Sequence, residues 1–244
     1  MNTETKQYKP VKNLLSKGST NGKTAKNDIK TFILYLAPHN LNHKGITLCK
    51  DASDGCIASC LYSAGRGKFT NVQSSRINKA NYFVTDKKAF LKQLLFEIRK
   101  EIEKAAKTQT KIAFRLNGTS DIDFLYLLDK HFDFNVDLLA YDKVYFYDYT
   151  KSLARAIRYK NYRNYTLTFS KSESNLNEVN QALKLGINIA AVFKNDLPKK
   201  YKGKKVVDGD LNDLQMLEFK NVILGLKAKG DAKKDTTGFV ITNY

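Results

Sequence analysis

The chain has 244 residues, of which 42% are hydrophobic and 27% charged, so it can bury one sizeable core. No apolar run approaches the roughly 20 residues of a membrane helix, and the polar N-terminus lacks the apolar segment of a secretory signal. These features exclude a membrane-spanning protein. We therefore expect a cytoplasmic protein without a membrane partner.

Basic residues outnumber acidic ones by 42 to 24, which gives a formal net charge of +18. Such a charge favours phosphate backbones and other polyanions through counterion release. Most of the basic residues are lysines, and Asn, Ile, Tyr and Phe are also abundant, as an AT-rich coding sequence produces without selection for nucleic acid. Nucleic acid is one predicted partner, but charge alone does not separate a binding surface from solvated lysines.

The first 30 residues are rich in Lys, Asn, Thr and Ser and show no apolar period. This composition predicts a flexible basic tail with at most a short helix near Val11 to Leu15. The remaining residues, 31–244, are predicted to form a single domain.

Short β-branched and aromatic runs recur along that domain and alternate with segments of helical period. The predicted strands are Phe32–Leu36, Ile112–Leu116, Val144–Tyr147, Tyr165–Phe169, Ile187–Phe193, Lys205–Val207 and Val222–Leu226. The predicted helices are Asp86–Lys107, Asp121–His131, Ser152–Tyr159, Ser174–Leu185 and Leu211–Phe219.

This alternation, with strands that are apolar on both faces, predicts an α/β fold with mainly parallel strands. An incomplete (β/α) barrel is favoured over an open doubly wound sheet, because polar residues follow the end of every predicted strand. In a barrel those ends share one rim, where residues far apart in sequence can reach a common ligand.

The most informative residues are the three cysteines, Cys49, Cys56 and Cys60, which have the spacing C-x6-C-x3-C. Their odd number rules out a fully paired disulfide framework. Cys56 and Cys60 are four residues apart and can face the same way on one helical turn, and small residues would let Cys49 fold back towards them. The spacing therefore predicts a shared metal site.

Three thiolates suit a [4Fe–4S] cluster that leaves one iron open for another ligand. Zinc is the alternative, with His39 or His43 as the fourth ligand, and buried cysteines without metal are the third reading. The following segment, LYSAGRGK, is glycine-rich and basic, and Arg66 within it could offset the negative charge of a cluster.

Polar residues after the predicted strands form a candidate ligand site at the rim. Its chemistry suits a charged, phosphorylated or nucleotide-like small ligand. Capping of the following helices is the structural alternative for the aspartates. The proposed substrate-binding residues are Asp121, Tyr149, Lys151, Lys171, Asp208 and Asp210, with Arg115, Ser170 and Asp213 beside them.

Several segments jointly resemble the phage and mobile-element family called gene product eighty-eight. The similarity covers roughly residues 31–241 and rests on CLYSAGRGKF, FRLNGTSDIDF, FYDYTKS, LTFSKSES, GINIAAVF, VVDGDLNDLQ, GLKAKG and TGFV. It implies a phage-encoded protein that works in the host cytoplasm.

The order of the segments is also similar to that of radical-SAM enzymes, which bind a [4Fe–4S] cluster at a barrel mouth. That resemblance implies contacts to S-adenosylmethionine at Asn117, Gly118 and Thr119, and ribose contacts at Ser170 and Ser172. The cysteine spacing departs from the usual C-x3-C-x2-C, which puts binding of S-adenosylmethionine in doubt.

Two functions follow from these observations. The first is an iron–sulfur enzyme, either radical-SAM-like or an oxidoreductase, whose catalytic residues the sequence does not identify. The second is a nucleic-acid-binding protein with a structural metal, in which the charge and a run of tyrosines engage a polyanion. Those tyrosines are Tyr141, Tyr145, Tyr147 and Tyr149.

Overall fold

The computed structural model describes residues 7–18, 29–212 and 214–243. Within these ranges the chain forms a mixed α/β fold around one ten-stranded sheet. The strands are β1 Leu15–Lys17, β2 Lys30–Leu34, β3 Ile112–Arg115, β4 Val144–Thr150, β5 Tyr165–Ser170, β6 Ile189–Phe193, β7 Lys200–Tyr201, β8 Lys204–Asp208, β9 Ile223–Lys227 and β10 Val240–Ile241. The helices are α1 Asp54–Ala58, α2 Thr70–Thr85, α3 Lys87–Lys107, α4 Phe124–Phe132, α5 Leu153–Tyr159, α6 Leu176–Lys184 and α7 Gln215–Glu218.

The sheet is mainly parallel and open. Its strand order is β1-β2-β3-β4-β5-β6-β9-β8-β7, with β10 added beside β6. Among the strands of the described ranges, β1 pairs with β2 and β7 with β8 in the antiparallel sense, and the other pairs are parallel. The predicted mainly parallel α/β fold is confirmed, whereas the predicted incomplete barrel is not. The two outermost strands of the order, β1 and β7, do not pair with each other in the described part of the chain.

The sheet departs from a (β/α) barrel after β6. Up to that strand, each new parallel strand adds beside the previous one, as in a singly wound barrel. The β7–β8 hairpin then lies further out, and β9 returns to pair with both β6 and β8. Insertion of β9 between earlier strands replaces the sequential order that a barrel requires.

Separate hydrophobic clusters cover the two faces of the sheet. On one face, Ala113 of β3 and Tyr147 of β4 share a buried cluster with Val207 of β8 and Leu224 of β9. Met216 of α7 belongs to the same cluster and its sulfur lies 3.9 Å from the Thr168 hydroxyl of β5, so α7 covers this face between the two pairs of strands. The other face of β2 to β5 packs against a separate cluster that includes the apolar stripe of α3.

Helix ends follow the capping residues in the sequence. The side chain of Asp86 accepts a hydrogen bond from Ala89 N–H at the start of α3, as predicted, and Ser152 caps α5. Helix α4 begins after Asp123 rather than at Asp121, because the Asp123 side chain accepts from Tyr126 N–H. No helix in the described ranges is both long enough and apolar enough to cross a bilayer.

The N-terminal segment 7–18 packs on the domain instead of forming a free tail. The backbone amides of Leu14 and Leu15 donate to the Glu97 carboxylate on α3, at 2.8 and 2.9 Å, and Leu14 is fully buried. The predicted short helix near Val11 to Leu15 is wrong, since β1 begins at Leu15 and pairs with β2. The rest of the predicted tail, residues 1–6 and 19–28, lies outside the described residues.

Candidate functional site

A cavity of about 1020 Å³ lies at the carboxyl ends of the parallel strands. Tyr35 reaches it just after β2, Arg115 from the end of β3, Tyr149 from β4 and Ser170 from β5. Ligand sites in parallel α/β sheets are found at this edge, because the loops that follow the strands converge there. Polar residues of the rim predicted from the sequence therefore line one cavity.

All three cysteines line this cavity as free thiols, and each is partly buried. Burial raises the pKa of the Cys49 thiol to about 12, although the hydrogen bond from His39 N–H opposes the shift; nearby Cys60, Asp121 and Cys56 raise it further. Burial is also the main cause that raises the pKa of Cys60. Because the pKa of Cys49 and that of Cys60 are raised, a cation bound nearby would be needed to hold these two side chains as thiolates near neutral pH.

The three thiols are not grouped around a single point. Among the described residues, no three His, Cys, Asp or Glu side chains are arranged so that they could hold a metal ion. The sulfurs thus share a cavity wall without forming a ready-made ion site.

Two neighbouring loops hold the cysteine loop in place. Cys49 forms an isolated parallel bridge with Asp121 in the loop after β3, and Asp121 N–H donates to Leu48 O at 2.9 Å. On the other side, the Glu173 carboxylate accepts from Gly55 N–H and from the Ser53 hydroxyl, both at 2.8 Å. These contacts fix the start of α1, the helix that carries Cys56.

Gly55 is required where this loop meets the C-terminal segment. A Cβ atom at Gly55 would lie 2.3 Å from Thr237 Oγ1, 2.7 Å from Glu173 Oε2 and 2.8 Å from Phe239 Cβ. No real Cβ is so close to its neighbours, so only glycine allows this contact. The small residues of the cysteine loop therefore permit close packing as well as flexibility.

The loop after β3 is held by a buried amide and a buried carboxylate. Asn117 donates through its backbone N–H and its Nδ2 to the two carboxylate oxygens of Asp148, at 2.9 and 3.0 Å. Its Oδ1 accepts from the Ser120 hydroxyl and from Ile122 N–H. The side chain of Asn117 is thus engaged within the loop, and its contribution to the cavity is to shape the wall.

A buried ion-pair network lies behind this wall. Arg155 donates to Asp121 Oδ1 at 2.7 Å, and its Nη2 lies 3.7 Å from Asp148 Oδ2. Asp121 also accepts from Lys151 N–H at 2.8 Å and from the Thr150 hydroxyl. Burial raises the pKa of Asp121, and the positive charge of Arg155 opposes that shift. Asp121 therefore links the cysteine loop to the ends of β3 and β4.

Most of the predicted site residues come together at the cavity. Ser172, Asp208, His39 and His43 do not line it. His39 contributes its backbone N–H to Cys49, and the exposed His43 has its ring 3.4 Å from the Thr85 hydroxyl. Asp213 lies outside the described residues. Predicted residues that line the cavity are Cys49, Cys56, Cys60, Arg66, Arg115, Asn117, Gly118, Thr119, Asp121, Tyr149, Lys151, Ser170, Lys171 and Asp210.

Sequence reasoning missed the wall that α2 contributes. Arg76 and Lys79 of this helix line the cavity, and the guanidinium carbon of Arg76 lies 4.6 Å from the centre of the Tyr35 ring. Glu173, which fixes the cysteine loop, was also missed. Its position directly after β5, within the polar segment SKSES, was the available signal for it.

The four tyrosines proposed for nucleic-acid stacking do not form an exposed platform. Tyr147 is fully buried, and Tyr145 and Tyr149 pack against the same buried cluster. The Tyr141 hydroxyl donates to the carbonyl oxygens of Ala105 and Thr110. Tyr147 could not stack on a base without leaving the core, whereas Tyr149 is partly exposed and lines the cavity.

A comparison with known families adds one match that spans nearly the whole chain. The profile of the family described as Gene product 88 matches residues 10–243. The chain belongs to the gene product 88 family. This confirms the phage family inferred from the motifs and extends its match to include most of the docked N-terminal segment. No curated protein and no solved structure matches this gene product 88 protein.

Proposed function

We propose that this gene product 88 protein binds an iron–sulfur cluster through Cys49, Cys56 and Cys60, and that the adjoining cavity holds a small polar ligand. The observation that carries the proposal is the position of the three thiols. They come from one short loop, and all three line the same cavity at the carboxyl edge of a parallel sheet.

The donor set fits a cluster in its chemistry. A cubane binds each cysteine to a different iron, so its thiolates need not converge on a single point. A zinc ion would instead require three sulfurs at about 2.3 Å and a fourth ligand around one centre. When bound, the cluster would supply one-electron redox chemistry beside the ligand.

The protein's own residues would position both groups. Asp121 and Glu173 hold the cysteine loop from opposite sides. Lys151 and Lys171 line the cavity and would bind or orient a ligand of negative charge. We infer an oxidoreductase or a radical-SAM-like enzyme; for the latter, S-adenosylmethionine would have to contact the walls at Asn117, Gly118 and Ser170.

The test is the metal content of protein purified without oxygen. We expect about three to four irons and as many sulfides per chain, with broad absorption near 400 nm, as three thiolates can support. A Cys49→Ala/Cys56→Ala/Cys60→Ala variant should lose both, whereas His43→Ala, outside the cavity, should keep both. Stoichiometric zinc without sulfide would show that the site holds a structural zinc ion instead of a cluster. Iron that persists in the triple variant would refute the assignment of the ligands.

A further inference from the structure

The cavity lining is strongly basic. Its two carboxylates are both neutralised, Asp121 by Arg155 at 2.7 Å and Asp210 by Lys229 at 2.7 Å. Among the residues that the structure describes, eight basic and two acidic side chains line this space, so the formal excess is six positive charges. These side chains are Arg66, Arg76, Lys79, Arg115, Lys151, Lys171, Lys227 and Lys229.

Arg76 is a partly buried member of this set. Its Nε and Nη1 are shielded from solvent and have no hydrogen-bond partner within the described residues. The guanidinium is stacked on Tyr35 at 4.6 Å and lies 5.8 Å from the Tyr62 ring. Aromatic faces compensate only part of the cost of burying a cation, so an anion bound here would satisfy the guanidinium.

Arg76 also lies close to the thiols. Both Arg76 and Lys151 stabilise a negative charge on Cys60 electrostatically, although one comes from α2 and the other from the end of β4. A ligand held between these cations would be adjacent to the cysteine loop. The cavity volume of about 1020 Å³ leaves room for such a ligand together with a cofactor.

We propose that the basic wall of the cavity binds a small phosphate-bearing anion, with Arg76 as its principal contact. This inference rests on the proposed ligand-binding role of the cavity and does not require the metal. A phosphate group is favoured over a single carboxylate because its two or more negative charges match the excess of cations. The planar guanidinium can in addition donate two parallel hydrogen bonds to phosphate oxygens.

The experiment is a calorimetric titration with inorganic pyrophosphate at constant ionic strength. It is done on the full chain, both as purified without oxygen and after removal of metal by a chelator. Arg76→Gln removes the guanidinium group. Arg76→Lys keeps the positive charge but lacks the planar guanidinium that can donate two parallel hydrogen bonds. Arg99→Gln is the matched control, because it removes an arginine from the exposed side of α3, outside this cavity.

We expect saturable binding at one site per chain, weakened at least about tenfold by Arg76→Gln and less by Arg76→Lys, with Arg99→Gln unchanged. Equal weakening in Arg99→Gln, or no binding beyond that of chloride, overturns the proposal. Binding of a single-stranded oligonucleotide without any binding of pyrophosphate also overturns it. Arg76-dependent binding to protein that contains neither iron nor sulfide as purified without oxygen, before any chelator is added, leaves this inference intact and refutes the cluster instead.

Discussion

At the scale of single residues, the wall of the cavity depends on a carboxylate that is almost fully buried. Asp148 is 2% exposed, and burial raises the pKa of its side chain to about 6, against the opposing charges of Arg155 and Arg115 and the hydrogen bonds of Asn117. An aspartate in the unfolded chain has a pKa near 3.9. The buried position of Asp148 therefore links the stability of the protein to pH.

The direction of this link follows from proton uptake. Between about pH 4 and pH 6 the folded protein retains a proton on Asp148 that the unfolded chain has lost. The contribution of this protonated carboxyl group to stability is therefore complete below about pH 4. It is lost as the pH rises through about 6. In the Asp148→Asn variant the side-chain amide at position 148 does not titrate. We expect the free energy of unfolding to fall roughly 2–3 kcal/mol more in the native protein than in Asp148→Asn over this range.

Urea unfolding at a series of pH values measures this difference. Asp133→Asn is the control, since Asp133 is an exposed residue in the left-handed conformation, where asparagine is equally suited. The native protein and Asp133→Asn should share one pH profile. If the profile of Asp148→Asn runs parallel to theirs, Asp148 does not titrate in this range.

At the scale of elements, the strands and the long helix could be predicted because their signals are local. The stripe of α3 repeats at steps of three and four, and Asp86 marks its start. Helix α2 was missed because it has no side-chain cap, and few of its residues are buried, among them Ala80 and Phe83. Without α2, the contribution of Arg76 and Lys79 to the basic wall could not be anticipated, although the cysteines and the strand-end residues could.

The short helix α1 has too few residues to be stable alone, so its position must come from outside contacts. Glu173 supplies them through Gly55 N–H and the Ser53 hydroxyl, and despite some burial these hydrogen bonds lower the pKa of its carboxyl group. We expect Glu173→Ala to increase hydrogen exchange at Gly55 and Cys56 and to reduce the iron content after purification without oxygen.

Glu178→Ala is the matched control for this prediction. Glu178 is an exposed residue of the neighbouring helix α6, so its loss removes the same charge without touching the cysteine loop. Exchange mass spectrometry and iron analysis are then compared in the two variants. Unchanged protection at Gly55 in Glu173→Ala would show that the loop is held by its other contacts, chiefly the bridge between Cys49 and Asp121.

At the scale of the whole molecule, the parallel strands explain why a rim of polar residues could be predicted without knowing the strand order. Neighbouring parallel strands have their carboxyl ends at the same edge of the sheet. Tyr149 near the end of β4 and Ser170 at the end of β5 therefore both lie at that edge. The return of β9 between β6 and β8 could not be foreseen, because that pairing depends on contacts between segments far apart in sequence. The incomplete barrel expected from the local alternation of strands and helices is therefore not confirmed, although the parallel strands are.

The net charge of +18 also acts on the molecule as a whole. Like charges repel more strongly in the compact state than in the unfolded chain, so screening should stabilise the fold. The Debye length falls from about 30 Å at 0.01 M salt to about 8 Å at 0.15 M. We expect sodium chloride over this interval to raise the melting temperature by roughly 2–4 °C, which corresponds to about 1 kcal/mol for a chain of this size.

Chloride is the appropriate anion for this measurement, because phosphate or pyrophosphate would also bind the proposed site and stabilise the protein by mass action. A Lys199→Gln/Lys200→Gln/Lys205→Gln variant removes three exposed charges far from the cysteine loop in sequence and should show a smaller response to chloride. Its response to pyrophosphate should match that of the native protein, because these lysines do not line the cavity. A melting temperature that does not change with chloride would mean that repulsion among the surface lysines contributes little to the stability of the fold. The effect of the basic residues would then be confined mainly to those that line the cavity.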